Sequence, residues 1–350
     1  MNTVLARTMT QDRQTELSSL PPSTPLVLSV PDLAEALDYF TRRLGFHVDM
    51  IFPADAPNTA VISGQEITLR LETVGSQTAA DDLPEGARGF VISRLHADDA
   101  WHVGRAGMEY RDLIPGRLGG RFIASHIRIP GGGPTPDYVH YHKVRFQMIY
   151  CKAGWVRVVY EDQGPPLVLE AGDCVLQPPE IRHRVLESSA GLEVIEIGCP
   201  AVHETWADHE RKLPTSNVLP ERLFGGQRFV RHHAKAATWT PARFAGMETR
   251  DTGIAAATSG LAGARVLRAK SAIESTTEGH AGEFLFWFVL QGELGLASQA
   301  HGNHQLQAGD SCVIPAGLEY MLRAKAGLEL LEVSLPADLS QLPLQELKER

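Results

Sequence analysis

Only four cysteines, Cys151, Cys174, Cys199 and Cys312, occur in 350 residues. None stands in a CxxC pair, so a disulfide framework is excluded and a reduced compartment is expected. No stretch of 18 apolar residues occurs, and the opening MNTVLARTMTQDRQTELSS holds no apolar core of signal-peptide length. The expectation is a cytoplasmic protein with no membrane partner, its first twenty or so residues frayed. Basic runs are missing too. Lys and Arg number 33 against 42 Asp and Glu, a net charge of −9, and no helix-turn-helix pattern is visible, so a nucleic-acid partner is not expected.

What is present is ordinary for a folded chain: 43% hydrophobic and 21% charged residues. The length suits two or three domains with sizeable cores. Gly and Pro, at 32 and 22, point to many short elements joined by turns, which favours β-structure.

Residues 24–74 read as one α/β unit. PLVLSV (25–30) is a short strand, Asp32 is an N-cap, and apolar residues recur at helical spacing from Leu33 to Leu44 before Gly45 stops the helix. Strands follow at 47–52, 58–63 and 66–72. This β-α-β-β-β order, with LGF after the helix, resembles the vicinal-oxygen-chelate family of glyoxalase and bleomycin-resistance proteins. A second such unit is hinted at in residues 89–110, a strand followed by a short helix. The resemblance implies a metal ligand, His or Gln, on the first strand and a Glu on the last. Glu72 is at the latter place, but the first strand offers neither His nor Gln, so this domain is read as structural or dimerising.

From about residue 108 the texture changes, and an internal repeat emerges. Residues 154–201 line up with 292–337. Both carry AGD, a Pro six residues after its Gly, then AGLE followed by two apolar residues and Glu, then PA; the offset drifts from 138 to 136 residues. A period this long implies that each copy is a whole small barrel rather than a solenoid turn.

The first copy also contains GGGPTPDYVHYHKVRFQMIYCKAGW and GDCVLQPPEIRH. These resemble the two motifs of the cupin superfamily. Gly133 is followed after six residues, not the usual five, by His140 and His142; Gln147 holds the place of the usual Glu; Gly154 closes the first motif. Gly172, Pro178 and His183 match the second, with Glu180 replacing its second Gly. The resemblance implies a mainly β chain of two tandem cupin (jelly-roll) barrels behind an N-terminal βαβββ domain. It implies metal ligands at His140, His142, Gln147 and His183. The boundaries read from the chain are a tail at 1–23, the α/β domain at 24–107, a metal-binding barrel at 108–201, a linker packing on both barrels at 202–245, a degenerate barrel at 246–337 and a tail at 338–350.

The pattern also has a physical reason. Residues two apart on a strand share a face, so His140 and His142 present two imidazoles to one interior, while the turn after Pro178 delivers His183 from a distant strand. Neutral imidazoles on rigid strands suit one divalent transition metal per chain: Fe(II) first, with Ni, Mn, Cu and Zn as the other candidates. Gln147 lies at odd parity, so a turn or bulge must precede it. Its amide either ligates weakly through oxygen, stands outside the coordination sphere as a hydrogen-bond donor, or is only a spacer. Losing the carboxylate leaves a more electrophilic metal, suited to a small anionic or chelating substrate such as a diketone or phenol, with O2 as co-substrate. The expected activity is therefore a cupin dioxygenase. A metal-dependent isomerase or lyase, or a non-enzymatic binding cupin, are the alternatives. Tyr138 and Phe146 share strand parity with the histidines and are expected to line the substrate pocket.

In the second copy Glu278 and His280 fall at the HxH positions, Leu285 at the Glu position and Tyr320 at the last His. Leu cannot ligate, so this barrel is expected to serve packing and homodimer formation. His203, His209, His232 and His233 lie in the linker without motif spacing and are expected in solvated or capping roles. The four cysteines are expected to pack as small hydrophobes, and GGGP at 131–134 is read as the turn into the ligand strand.

Overall fold

The computed structural model describes residues 25–74, 89–95, 101–104 and 108–339. The expected tail at 1–23, most of the tail at 338–350, and the helix expected after residue 93 lie outside these residues. The chain divides into two units: residues 1–49 with 58–76, and residues 50–57 with 77–350.

In the first unit Leu26–Val30 leads into the helix Leu33–Leu44. The Asp32 carboxylate accepts from the Glu35 backbone N–H at 2.8 Å, and Gly45 stops the helix at φ 73°, a left-handed conformation that costs Gly little. Leu26–Val30 runs parallel to Ile67–Thr73, which pairs antiparallel with Thr59–Gly64. Leu33, Ala60, Ile62 and Leu71 form the buried side. Glu72 accepts from Arg70 Nε at 2.6 Å.

The second unit holds two β-barrels. In the first, one sheet runs Thr205–Ala207, His140–His142, His183–Ser188, Trp155–Tyr160, Leu167–Glu170. The facing sheet is centred on Phe146–Ala153, Leu192–Cys199 and Ile123–Ile129. The second barrel repeats this with Phe284–Gln291, Glu329–Leu335 and Gly263–Ala269. The copies superpose in register: Phe146 pairs with Cys199 and Phe284 with Leu335; His140 pairs with His183 and Glu278 with Tyr320. No helix among the described residues is long and apolar enough to cross a membrane.

Segments outside the two repeats complete these sheets. Val91–Ser93 pairs with Ser311–Val313, and His102–Val103 with Glu109–Asp112. The sequence reading groups these residues with the N-terminal domain; here they belong to barrel sheets, because an unpaired edge strand gains a full row of hydrogen bonds there. From residues 202–245, Val230–His232 pairs with Cys174–Leu176 and Thr240–Pro241 with Met247–Asp251, so this stretch hydrogen-bonds to both barrels.

The barrels pack through one shared core. Phe122, Phe146, Met148, Tyr150, Ile195 and Ile197 of the first meet Phe284, Phe286, Phe288, Leu331 and Val333 of the second, with the Phe122 and Phe284 rings stacked at 4.1 Å. Both central sheets are therefore buried on two sides, which is why FLFWFVL (284–290) reads as an unbroken apolar run. Phe284, Phe286 and Phe288 face the neighbouring barrel, while Leu285, Trp287 and Val289 fill their own. Each fully buried phenyl contributes roughly 1.5–3 kcal/mol.

Candidate metal centre

Alternation along the same strands builds the site. Gln147 and Ile149, Leu192, Val194 and Glu196, and Val156, Val158 and Tyr160 point into the first barrel, lining with His140, His142 and His183 a cavity of about 110 Å³. The chain crosses from one sheet to the other at 143–145, between His140–His142 and Phe146–Ala153, which brings the odd-numbered Gln147 inward. The same alternation sends Phe146 outward. Phe146, expected to line the pocket, lies fully buried in the core between the barrels. Tyr138 is not among the cavity-lining residues either: its carbonyl serves His140, and its ring sits 6.0 Å from those of His140 and His209.

The three imidazoles converge. One ligand nitrogen of each of His140, His142 and His183 lies within 4.8 Å of the others, and all three residues are buried. Their other nitrogens are tied back. His140 Nδ1 donates to the Tyr138 carbonyl at 2.8 Å and His183 Nδ1 to the Ile181 carbonyl at 2.9 Å; His142 Nδ1 lies 2.8 Å from Thr205 Oγ1. A carbonyl can only accept, so the proton sits on Nδ1 of His140 and His183, which makes Nε2 the acceptor nitrogen of each ring. Buried Asp137 locks the frame, accepting from the backbone N–H of Tyr138 and of Val185, each at 2.9 Å. Three buried, converging imidazoles, two of them with tautomers fixed by backbone carbonyls, fit a borderline divalent metal.

Three further residues reach this cavity without any signal read from the sequence. Gln177, one residue before the motif proline, points its amide nitrogen at His183 Nε2 (3.0 Å), and its oxygen accepts from the Tyr160 hydroxyl at 3.1 Å. Burial pushes that tyrosine's pKa well above its ordinary value, so it stays a donor. His203, expected to be solvated, is buried, lines the cavity, and stacks edge-on to His142 at 5.5 Å between ring centres. Its Nδ1 donates to the Pro200 carbonyl at 2.8 Å, and burial lowers its pKa, leaving a neutral ring with Nε2 as acceptor. Glu196 faces the cavity and accepts from Gln147 Nε2 at 2.7 Å. Of the other linker histidines, His232 is on the strand paired with Cys174 and His233 stands 3.5 Å from Asp173. Cys151, Cys174, Cys199 and Cys312 are free and buried, and burial raises their thiols to about 12 or beyond.

The second barrel has the same positions filled differently. Tyr320 packs edge-on against Trp287 at 5.5 Å, and fully buried Glu332 is held by Arg243 and by Trp287 Nε1 at 2.8 Å. His280 Nε2 donates to the Ile314 carbonyl at 2.9 Å. Among the described residues, only the histidine trio of the first barrel forms a converging set of three metal-binding side chains.

Comparison with known proteins agrees with this architecture. A family model described as Cupin domain matches residues 125–198. Salicylate 1,2-dioxygenase from Pseudoaminobacter salicylatoxidans, solved as adducts with gentisate, superposes with a TM-score of 0.51 at 16% identity, over 72% of this chain and 82% of that one. Oxalate decarboxylase from Lactobacillus farciminis, in a formate complex, gives 0.51 at 14% identity, over 72% and 91%. No curated protein matches the sequence. The fold is thus mainly β, with the jelly-roll barrels of the cupins.

Proposed function

We propose that this chain is a metal-dependent dioxygenase of the cupin type, with one Fe(II) held by His140, His142 and His183 in the first barrel. The observation that carries the reading is the set of three converging buried imidazoles, at least two with tautomers fixed by backbone carbonyls. Bound iron would supply the one-electron chemistry that couples oxygen to a chelated organic substrate. The chain's own residues bind, orient and exclude water. The walls are mostly apolar and the cavity holds about 110 Å³, less than the roughly 150 Å³ of a cavity that takes benzene, so the substrate is a small molecule.

The polar lining narrows the class. Among the described lining residues there is no Lys or Arg, whereas Asp55, Glu196 and the His203 Nε2 offer acceptors. A substrate bringing hydroxyl or enol protons to those acceptors fits better than a polycarboxylate, whose charge only the metal would meet. His203 is placed to receive a hydrogen bond from such a hydroxyl. That same group gives the second reading, an isomerase or lyase using the metal as a Lewis acid and His203 as proton acceptor.

Oxygen uptake by the iron-loaded protein, against a panel of diketones and phenols, tests the proposal. Uptake matching substrate loss is expected. Substrate conversion at the same rate without oxygen establishes the second reading instead, and binding without conversion leaves a binding protein.

A further inference from the structure

Gln147 holds the position at which the motif usually supplies a carboxylate, yet the barrel has not lost its carboxylate. On the lumen face Gln147 sits opposite Gly198, and Ile149 opposite Glu196, so Glu196 is the diagonal cross-strand neighbour of Gln147, within reach of a long side chain. Gly198 presents no side chain, and a Cβ there would stand 3.8 Å from Gln147 Cγ. The amide leans along that space and donates to Glu196 at 2.7 Å. The second copy carries Glu332 at the equivalent place, but with Leu285 where Gln147 stands. The inward glutamate is a property of the repeat; the amide beside it belongs to the metal barrel.

The contact runs from Gln147 Nε2 to Glu196 Oε1, so the side of the amide facing Glu196 is its NH2 group. We propose that Glu196 is a positioning residue that fixes the Gln147 amide with Oε1 turned to the three imidazoles, making Gln147 a neutral oxygen ligand polarised by a charge held outside the coordination sphere. This rests on the reading of the histidine trio as a metal site. Donation to an anion draws the amide toward its zwitterionic resonance form and raises the donor strength of its oxygen. The metal then feels the carboxylate through a neutral ligand, and no coordination position is lost to a bidentate one.

Co(II) titration of the apoprotein, followed by its visible absorption bands, separates the possibilities. Glu196→Gln keeps the shape but lets the Gln147 amide flip; it should weaken Co(II) binding about 10- to 100-fold and shift the bands. Gln147→Met should weaken binding as much, and Glu196→Gln should add nothing to it. Native affinity and native bands in Glu196→Gln overturn the proposal, and if that variant does not fold, native binding by Gln147→Met does so. Absence of Co(II) binding by the native chain, or full binding by His183→Ala, overturns the metal reading itself and the proposal with it.

Discussion

Arg243→Met tests whether the second barrel is closed by the ion pair at Glu332, the counterpart of Glu196 in the first. Glu332 is fully buried, and burial alone would raise its carboxyl pKa; Arg243, followed by Arg265 and the Trp287 N–H, instead holds it below the ordinary range. Methionine keeps the apolar stem over Phe244, whose ring the guanidinium covers at 4.3 Å, and deletes the charge. At the 2.5 Å contact the lost attraction is about 6–7 kcal/mol for an effective dielectric of 20, before the desolvation of Arg243 is refunded. Protonation limits the damage. Holding a proton at pH 7 on a carboxyl of ordinary pKa near 4.3 costs about 4 kcal/mol, and no unpaired state need cost more. The sign of the pH dependence should reverse. In the native chain the depressed carboxyl contributes stability above its unfolded pKa that is lost as pH falls. In the variant burial dominates, so the folded pKa lies above the unfolded one, and stability is lost as pH rises from about 5 toward 8. Urea unfolding at pH 5 and pH 8 measures this, and Glu332→Gln on the Arg243→Met background should recover most of the deficit. A variant within about 0.5 kcal/mol of native at both pH values would refute the argument, because Arg265 at 3.6 Å and the Trp287 N–H would then compensate the buried carboxylate as well as Arg243 does.

Gln147→Glu alone would set two carboxylates about 2.7 Å apart, so it should destabilise the apoprotein, whereas adding Glu196→Gln moves the charge without doubling it and should restore stability; thermal unfolding of the three proteins decides. Removing an imidazole, by His142→Ala or His183→Ala, should abolish tight metal binding, while His232→Ala leaves it intact, as equilibrium dialysis with elemental analysis would show. The same analysis should find about one transition metal per chain, since the second barrel buries Leu285 and Tyr320 where ligands would stand; a value near two, lowered to one by His280→Ala, would refute this.

The convergence of His140, His142 and His183 was legible because its geometry is local: two residues on one strand face and a third fixed by a short turn motif. The repeat was legible for a similar reason, its turn residues recurring in order. Contacts made by closing the barrel were not. Glu196 meets Gln147 across 49 residues, and His142 meets Thr205 across 63, and no spacing rule links such positions. His203 looked like a linker residue because burial of a loop depends on the fold around it. Phe146 shows a different failure. Parity counted from His140 ignores the crossing at 143–145, and once Gln147 faces inward its neighbour must face outward. Val91–Ser93 was misgrouped because an edge strand is recruited by whichever sheet lacks a partner.

The two-sided burial of the central sheets gives the chain a rule for engineering. Along Phe146–Ala153, odd positions such as 147 and 149 face the cavity, and even positions such as 146, 148 and 150 address the other barrel. Libraries meant to change selectivity can be confined to the odd set, and a mutation at an even site will register as lost stability whatever the assay. Nor can the first barrel be excised on its own. Cutting after residue 245 would strip the cover from Phe122, Phe146, Met148 and Ile197 together, converting a protein wall into an adhesive one. The barrel without ligands is in that sense the solvent in which the other barrel's outer face is dissolved.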